Sequence, residues 1–203
     1  SFLLEKLTLR LADLFFAWQP ACACPARAAC MPGELCAEGL CKSFDGKRVL
    51  EDVSQSYRAG EIYYLRQPSG SGKTTLLTIL AGIWQPDAGS VEVPGAAAML
   101  FQEDRLCEAC SAVKNVELVC GSAVQARAAL EKLLEPEALE RPCADLSGGM
   151  KRRVALARAM EAQAAYVLLD EPFAGMDEAT RDRAMRYILE RQQGRCIIIA
   201  THI

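Results

Sequence analysis

Five side chains in this sequence carry a connected chemistry: Lys73, Thr74, Asp170, Glu171 and His202. Lys73 and Thr74 fall in the run Gln67 to Thr75, Q-P-S-G-S-G-K-T-T. A short apolar run, Ile62 to Leu65, leads in, and an apolar helical pattern (Leu76, Leu77, Ile79, Leu80) leads out. Strand, glycine-rich loop and helix in that order are the context a phosphate-binding loop requires. Gly70 and Gly72 let the backbone curl so that successive N–H groups point at phosphate oxygens. The helix that follows offers its unpaired N-terminal N–H groups and positive dipole end to the same anion. Lys73 is expected to reach the β- and γ-phosphates, and the Thr74 hydroxyl to ligate Mg²⁺. One departure stands out: in the full pattern G-x-x-x-x-G-K-[ST] the first glycine is here Gln67, preceded by Arg66 where an apolar strand end is expected. Gln67 weakens nucleotide binding if that backbone position needs positive φ.

The acidic pair closes a second apolar run, Tyr166-Val167-Leu168-Leu169-Asp170-Glu171. A continuous apolar strand implies burial on both faces of a parallel sheet. Asp170 then emerges at the carboxyl end, where ligands of open α/β sheets bind, and is expected to hold Mg²⁺ through water. Glu171 is placed to accept a proton from the water attacking the γ-phosphate. Cys196 to Thr201 reads as another buried strand, ending in His202, the only histidine of the chain. A lone histidine is often structural, but this one shares a sheet edge with Gln102 and Asp170, which favours a γ-phosphate contact. Gln102 itself ends a strand read at Met99 to Phe101, and Val91 to Val93 reads as a strand before it. Leu146-Ser147-Gly148-Gly149-Met150 opens a basic, Ala-rich helix, Lys151 to Met160, a second turn whose Ser147 and glycine N–H groups face outward as an anion site. Pro172 to Asp177 forms a tight loop, and Asp177 heads a charged helix, Glu178 to Arg191.

The elements that must position these residues follow from the remaining sequence. The 203 residues suffice for one α/β domain plus an appendage, and a net charge of −3 predicts no nucleic-acid affinity. No apolar run is long enough to span a bilayer. Residues 1 to 19 carry apolar side chains at spacings of three and four, interrupted by charges, and read as an amphipathic helix. It is either a membrane-hugging tail, such as the end of a fused permease, or a helix packed on its own domain. Residues 20 to 36 read as a Pro-rich linker, so that 1–33 forms a separable extension and 34–203 the domain. Cys22, Cys24, Cys30, Cys36 and Cys41 fall in or near the linker without the paired knuckles of a zinc site. Cys107 and Cys110 make a C-x-x-C without a second pair. The ten cysteines are expected as mostly free thiols of a reducing compartment.

From Leu35 to Tyr57, alternating segments broken by Asp45-Gly46 predict a small antiparallel sheet. Phe44 on that sheet is either a core aromatic or a platform for an adenine ring. Gly82 ends the loop helix, and Pro86-Asp87-Ala88-Gly89 predicts a turn. Residues 105 to 145, Ala-, Leu- and Glu-rich, predict a helical subdomain, which with the basic helix extends to about residue 160. The fold class is therefore α/β: a P-loop core with a mostly parallel sheet, a small antiparallel β subdomain and a compact helical subdomain. The chain opens on Ser1 and stops just after a strand, which reads as a fragment.

These motifs, in this order, resemble the nucleotide-binding domain of ATP-binding-cassette (ABC) proteins. The resemblance runs from about Leu35 to Ile203. It comprises the Walker A loop around Lys73, the Q-loop Gln102, the signature L-S-G-G-M, the Walker B strand ending in Asp170 and Glu171, the D-loop around Asp177 and the switch His202. Phe-Gln-Glu-Asp-Arg-Leu at 101 to 106 and Phe-Ala-Gly-Met-Asp at 173 to 177 are similar to importers of the nitrate/sulfonate/taurine group. The resemblance implies ATP and Mg²⁺ as cofactors. It assigns nucleotide contacts to Phe44, Ser69, Gly70, Ser71, Gly72, Lys73, Thr74, Thr75, Ser147, Gly148, Gly149 and Asp177. Metal contacts fall to Thr74, Gln102 and Asp170, and catalytic roles to Glu171, His202, Gln102 and Lys73. It further implies a homodimer that sandwiches two ATP molecules, with Ser147 and Gly149 of one protomer facing the γ-phosphate held by Lys73 of the other. A transmembrane permease would rest on the helical subdomain at the cytoplasmic face of the membrane, served indirectly by a periplasmic or surface solute-binding protein. In the family, chain continues past the switch histidine. Two rival readings are a soluble ABC ATPase acting on DNA or ribosomes, and a degenerate cassette that no longer hydrolyses ATP, motivated by Gln67.

Overall fold

The computed structural model describes residues 33–68 and 70–202. The amphipathic helix and the cysteines at 22, 24 and 30 lie outside the described residues, as do Ser69 and Ile203.

Strands β1 (Leu35–Phe44) and β2 (Lys47–Tyr57) form a hairpin. Its turn is Asp45-Gly46, with φ of 49° and 78°. Two successive positive φ values are the backbone a two-residue hairpin demands, and Asp-Gly supplies them at low cost. The strands β3 (Ile62–Arg66), β4 (Ala88–Glu92) and β5 (Ala97–Leu100) flank helix α1 (Lys73–Leu80). Helices α2 (Ala112–Cys120) and α3 (Ala123–Leu130) follow, capped by Ser111 and Ser122, whose side chains accept from Lys114 N and Gln125 N. Then come α4 (Gly148–Glu161), β6 (Tyr166–Asp170), α5 (Glu178–Arg191) and β7 (Cys196–Thr201).

Two sheets result. One is antiparallel, in the order β2-β1-β4, and the other parallel, in the order β3-β7-β6-β5. The parallel strands are apolar throughout because both faces are covered, and successive side chains alternate between two cores. Val167, Leu169, Ile197 and Ile199 enter a core shared with α2, α3, α4 and α5. Tyr166, Leu168, Ile198 and Ala200 enter the other, shared with α1 and the antiparallel sheet. A charge introduced at any of these apolar positions would therefore be buried without a partner.

Three local differences from the sequence expectation have physical causes. The predicted turn at 86–89 is shorter, since Ala88 and Gly89 already belong to β4. A Cβ on Gly89 would stand 2.4 Å from the Glu38 carbonyl oxygen, so the glycine serves the close approach of β1 and β4. Strand β4 also runs over Ala88–Glu92 where Val91 to Val93 was expected, and it pairs with β1 in the antiparallel sheet. The helical region between 105 and 145 is also less helical than its composition suggests. It holds two short α-helices and two 3₁₀ turns, Pro136–Ala138 and Cys143–Asp145, and begins with an irregular stretch through Cys110.

Candidate functional site

The parallel register brings the chemistry together at one sheet edge. Asp170 pairs with Ala200, and Arg66 with Thr201, so the residues that follow each strand emerge side by side. The phosphate loop leaves β3 at this edge and enters α1 through Gly72, whose φ is 89°. A Cβ there would stand 2.8 Å from the Val49 carbonyl oxygen, so both conformation and space demand glycine.

Lys73 is buried, and its ammonium donates to the carbonyl oxygens of Gln67 (2.6 Å) and Pro68 (3.0 Å). The lysine thus spans the loop from inside and points its charge at the concavity. Gln67 is absent from the residues with positive φ, so its side chain imposes no backbone strain on the loop. The condition under which Gln67 would weaken the loop, a positive φ at that position, is therefore not met. Gln67→Gly is expected to change ATP affinity by less than about fivefold, the reach of a backbone-entropy effect. A larger gain in a nucleotide titration would show that Gln67 does impair the loop.

Thr74 Oγ1 donates to Asp170 Oδ2 at 2.6 Å, joining the loop to the end of β6. Burial pushes the Asp170 carboxyl above its ordinary range, opposed by the Thr74 hydrogen bond. Glu171 adopts φ 48°, a left-handed conformation unusual for a residue with a Cβ, and donates its N–H to Ala200 O at 2.9 Å. That bend aims its carboxylate at His202, whose Nδ1 lies 2.6 Å from Glu171 Oε1. The side chains of His202 and Glu171 are 59% and 15% exposed, so the pair reaches from the sheet edge toward solvent.

The hard oxygen donors Thr74 Oγ1 and Asp170 Oδ2 converge where a Mg²⁺ ion would need them, and Mg²⁺ takes few protein ligands beside substrate phosphates. Ser71 Oγ is buried in the same loop without a hydrogen-bond partner, as a group awaiting an anion oxygen would be. The residues present therefore fit a magnesium–nucleotide complex.

The other sequence candidates are distributed around this centre. Gln102 is exposed just beyond β5, and its carbonyl oxygen accepts from Arg152 at 3.2 Å. Thr75 is buried inside α1. Ser147 caps α4, its Oγ accepting from Met150 N at 3.3 Å, and Ser147 and Gly148 are exposed at the helix start. Asp177 caps α5 by accepting from Thr180 N at 2.8 Å, a bond that holds its carboxyl below the ordinary range.

Phe44 is no core residue: it is 38% exposed and packs on Trp84 with ring centroids 5.2 Å apart. Asp87 sets this pair, since its carboxylate binds Lys42 Nζ at 2.7 Å and accepts from Ser43 N at 2.7 Å. Two residues that escaped sequence reasoning matter here. Trp84 had no motif to mark it. Arg152, hidden in a helix read only as basic, is 4% exposed and donates to the carbonyl oxygens of Phe101 (2.6 Å), Gln102, Asp170 and Glu171 and to Asp104 Oδ1 (3.0 Å).

A parallel sheet with a Gly-Lys-Thr loop after β3 and the acids Asp170 and Glu171 at the carboxyl end of β6 defines a P-loop nucleoside triphosphatase. Residues 50–174 match the model of the family described as "ABC transporter". The chain belongs to that family. It is 41% identical over 171 residues to "Aliphatic sulfonates import ATP-binding protein SsuB 1" of Nocardia farcinica, covering 81% of this chain and 69% of that protein. It is 36% identical over 190 residues to "Taurine import ATP-binding protein TauB" of Pseudomonas aeruginosa, covering 83% and 72%. Across these two and other curated sulfonate import ATP-binding proteins the chain spans between 61% and 72% of the relative's length. Among solved structures it resembles a putative ABC transporter ATP-binding protein from Pyrococcus furiosus, with a TM-score of 0.74 and 25% identity over 84% of this chain and 92% of that one. A dimeric bacterial ABC transporter cassette, MJ0796, gives a TM-score of 0.73 and 26% identity over 83% and 88%. The chain is thus an ATP-binding cassette of the sulfonate and taurine group.

Proposed function

We propose that this chain is the ATP-hydrolysing motor subunit of an importer for a small sulfonate-like solute. The observation that carries the reading is the meeting of Lys73, Thr74, Asp170, Glu171 and His202 at one sheet edge, with Glu171 and His202 in direct contact. In this reading the loop N–H groups, Ser71 and Lys73 bind the β- and γ-phosphates. Thr74 and Asp170, with Gln102, hold Mg²⁺, which would neutralise charge on the phosphate oxygens. Glu171 orients a water in line with the γ-phosphorus and takes its proton. His202 holds the Glu171 carboxylate in position and offers its other ring nitrogen toward the γ-phosphate. Phe44, beside Trp84, stacks the adenine.

The domain is taken as residues 34–203, and it acts as a homodimer. Ser147, Gly148 and Gly149 of one protomer complete the site of the other, with Asp177 at the same interface. The exposed cap of α4 and the dimeric structural relative support this arrangement. The transmembrane permease rests against the helical subdomain on the cytoplasmic face, and the extracytoplasmic solute-binding protein acts only through it. Among the described residues no helix is long and apolar enough to cross a membrane.

Co-expression with the permease of a sulfonate importer, followed by affinity purification in detergent, tests the reading. The two are expected to co-purify and the complex to hydrolyse ATP. Co-purification with nucleic acid instead would favour a cassette acting on DNA or ribosomes, which the net charge of −3 opposes.

A further inference from the structure

The sequence pair Cys107-x-x-Cys110 is used by nothing in the mechanism above. We infer that these two cysteines form a reversible thiol–disulfide site that controls the segment between Gln102 and helix α4.

The geometry is set for a bond. The two Sγ atoms lie 2.8 Å apart, and both cysteines are free thiols. Cys110 N–H donates to Cys107 O at 3.1 Å, closing a four-residue turn. Such a turn holds its end Cα atoms within about 7 Å, the span a disulfide bridges without backbone movement. Cys107 is exposed and Cys110 half-buried, so oxidants reach the first sulfur from solvent. Among the described residues no group of three or more His, Cys, Asp or Glu is arranged to hold a metal ion.

The turn is also fixed to functional elements. Asn115 of α2 is fully buried, and its amide is spent on this turn. Its Oδ1 accepts from Cys107 N at 2.9 Å, and its Nδ2 donates to Cys107 O at 3.0 Å and Ser111 O at 3.1 Å. Cys110 O accepts from Cys143 N at 2.9 Å, and Glu108 O from Ala144 N at 2.9 Å, tying the turn to the loop that precedes Ser147. The Glu108 side chain reaches Lys151 in the first turn of α4 at 3.3 Å. On its other side, five residues away, stands Gln102, held by the same helix through Arg152. A bridge across the turn would stiffen the stretch that connects Gln102 with the start of α4.

The oxidant is a low-molecular-weight disulfide such as glutathione disulfide. Cys107 gives its proton to solvent, and its thiolate attacks one sulfur of the oxidant, forming a mixed disulfide and releasing one thiolate. The hydrogen bond to Cys107 pushes the Cys110 thiol up, which keeps Cys110 protonated as the resolving group until this stage. Cys110, on losing its proton, attacks Cys107 Sγ, forming the intramolecular bond and releasing the second thiolate. The two released thiolates take up the two protons: two protein thiols are oxidised and one disulfide is reduced.

The test equilibrates the full chain in buffers of stepped reduced-to-oxidised glutathione ratio, blocks remaining thiols and maps disulfides by peptide mass spectrometry. A Cys107–Cys110 bridge is expected, with ATP turnover falling roughly fivefold or more, the smallest effect of a useful coupling between sites. Dithiothreitol should restore turnover, and the Cys107→Ser, Cys110→Ser double variant should keep it under oxidation. The proposal is overturned if the pair remains blockable at the oxidising end, if the bridge forms with turnover unchanged, or if the double variant is still inhibited. The effect on turnover rests on the hydrolytic reading above and the mapped bridge does not, so the two fail separately.

Discussion

Glu171→Gln is expected to lower ATP turnover by roughly 10²- to 10⁴-fold, the range of a lost general base, without weakening nucleotide binding. The substitution keeps the shape of the side chain and its reach to His202 Nδ1, while removing the group that accepts the proton. The nucleotide contacts come from a separate element, the loop around Lys73, so binding survives. With hydrolysis stopped, the closed dimer has no route to open, and sedimentation in the presence of Mg·ATP should show a dimer that is absent without nucleotide. A monomer at saturating ATP would overturn the sandwich arrangement. Unchanged turnover would overturn the role of Glu171. The left-handed backbone at Glu171 strengthens the expectation, because strain at a non-glycine residue persists only where the surroundings hold it.

What could be read from the sequence was whatever a short run of residues fixes by itself. The Gly-Ser-Gly-Lys-Thr loop, the apolar strand ending in Asp170 and Glu171, and the strand ending before His202 each carry their secondary structure in local pattern. The rule that ligands gather at carboxyl ends of parallel strands then joined them. Helix Glu178–Arg191 was legible to the residue because Asp177 is both a cap and a break in the pattern. The remainder depends on contacts distant in sequence. Gln67 read as a defect from the motif alone, whereas its acceptable φ is a property of the folded loop. Phe44 was ambiguous until the register of β1 and β4, clamped by Asp87, set it on the surface against Trp84. The Cys107–Cys110 pair had no partner motif, and only the turn built around buried Asn115 brings the two sulfurs together. Composition also overstated the helices between 105 and 145, because the carbonyls of the Cys107 turn are satisfied by the Asn115 amide and by neighbouring loop N–H groups without a helix.

Arg152 is the extreme of this class, and removing it should have the largest effect on stability. Its acceptors come from the end of β5, the Gln102 segment and the end of β6, separated from it by 18 to 51 residues. One planar, permanently charged group thus ties the segment that follows β5 to the end of β6, beyond the last backbone pairing of the two strands at Leu100 and Leu169. Arg152→Ala strips partners from four carbonyl oxygens and from Asp104, whose side chain is only 24% exposed. Breaking a buried, hydrogen-bonded charge pair costs roughly 3–5 kcal/mol, which for a chain of this size is a Tm lower by roughly 6–20 °C. Arg152→Lys keeps the charge but not the fork and should recover less than half of that loss. Its turnover should also fall, because Asp170 and Glu171 are held through the carbonyls that the fork grips. A Tm for Arg152→Ala within about 3 °C of the parent would show that the strand ends hold their positions without the arginine. The catalytic edge would then owe its shape to the sheet register alone, and Arg152 would be an incidental filler of the space behind it.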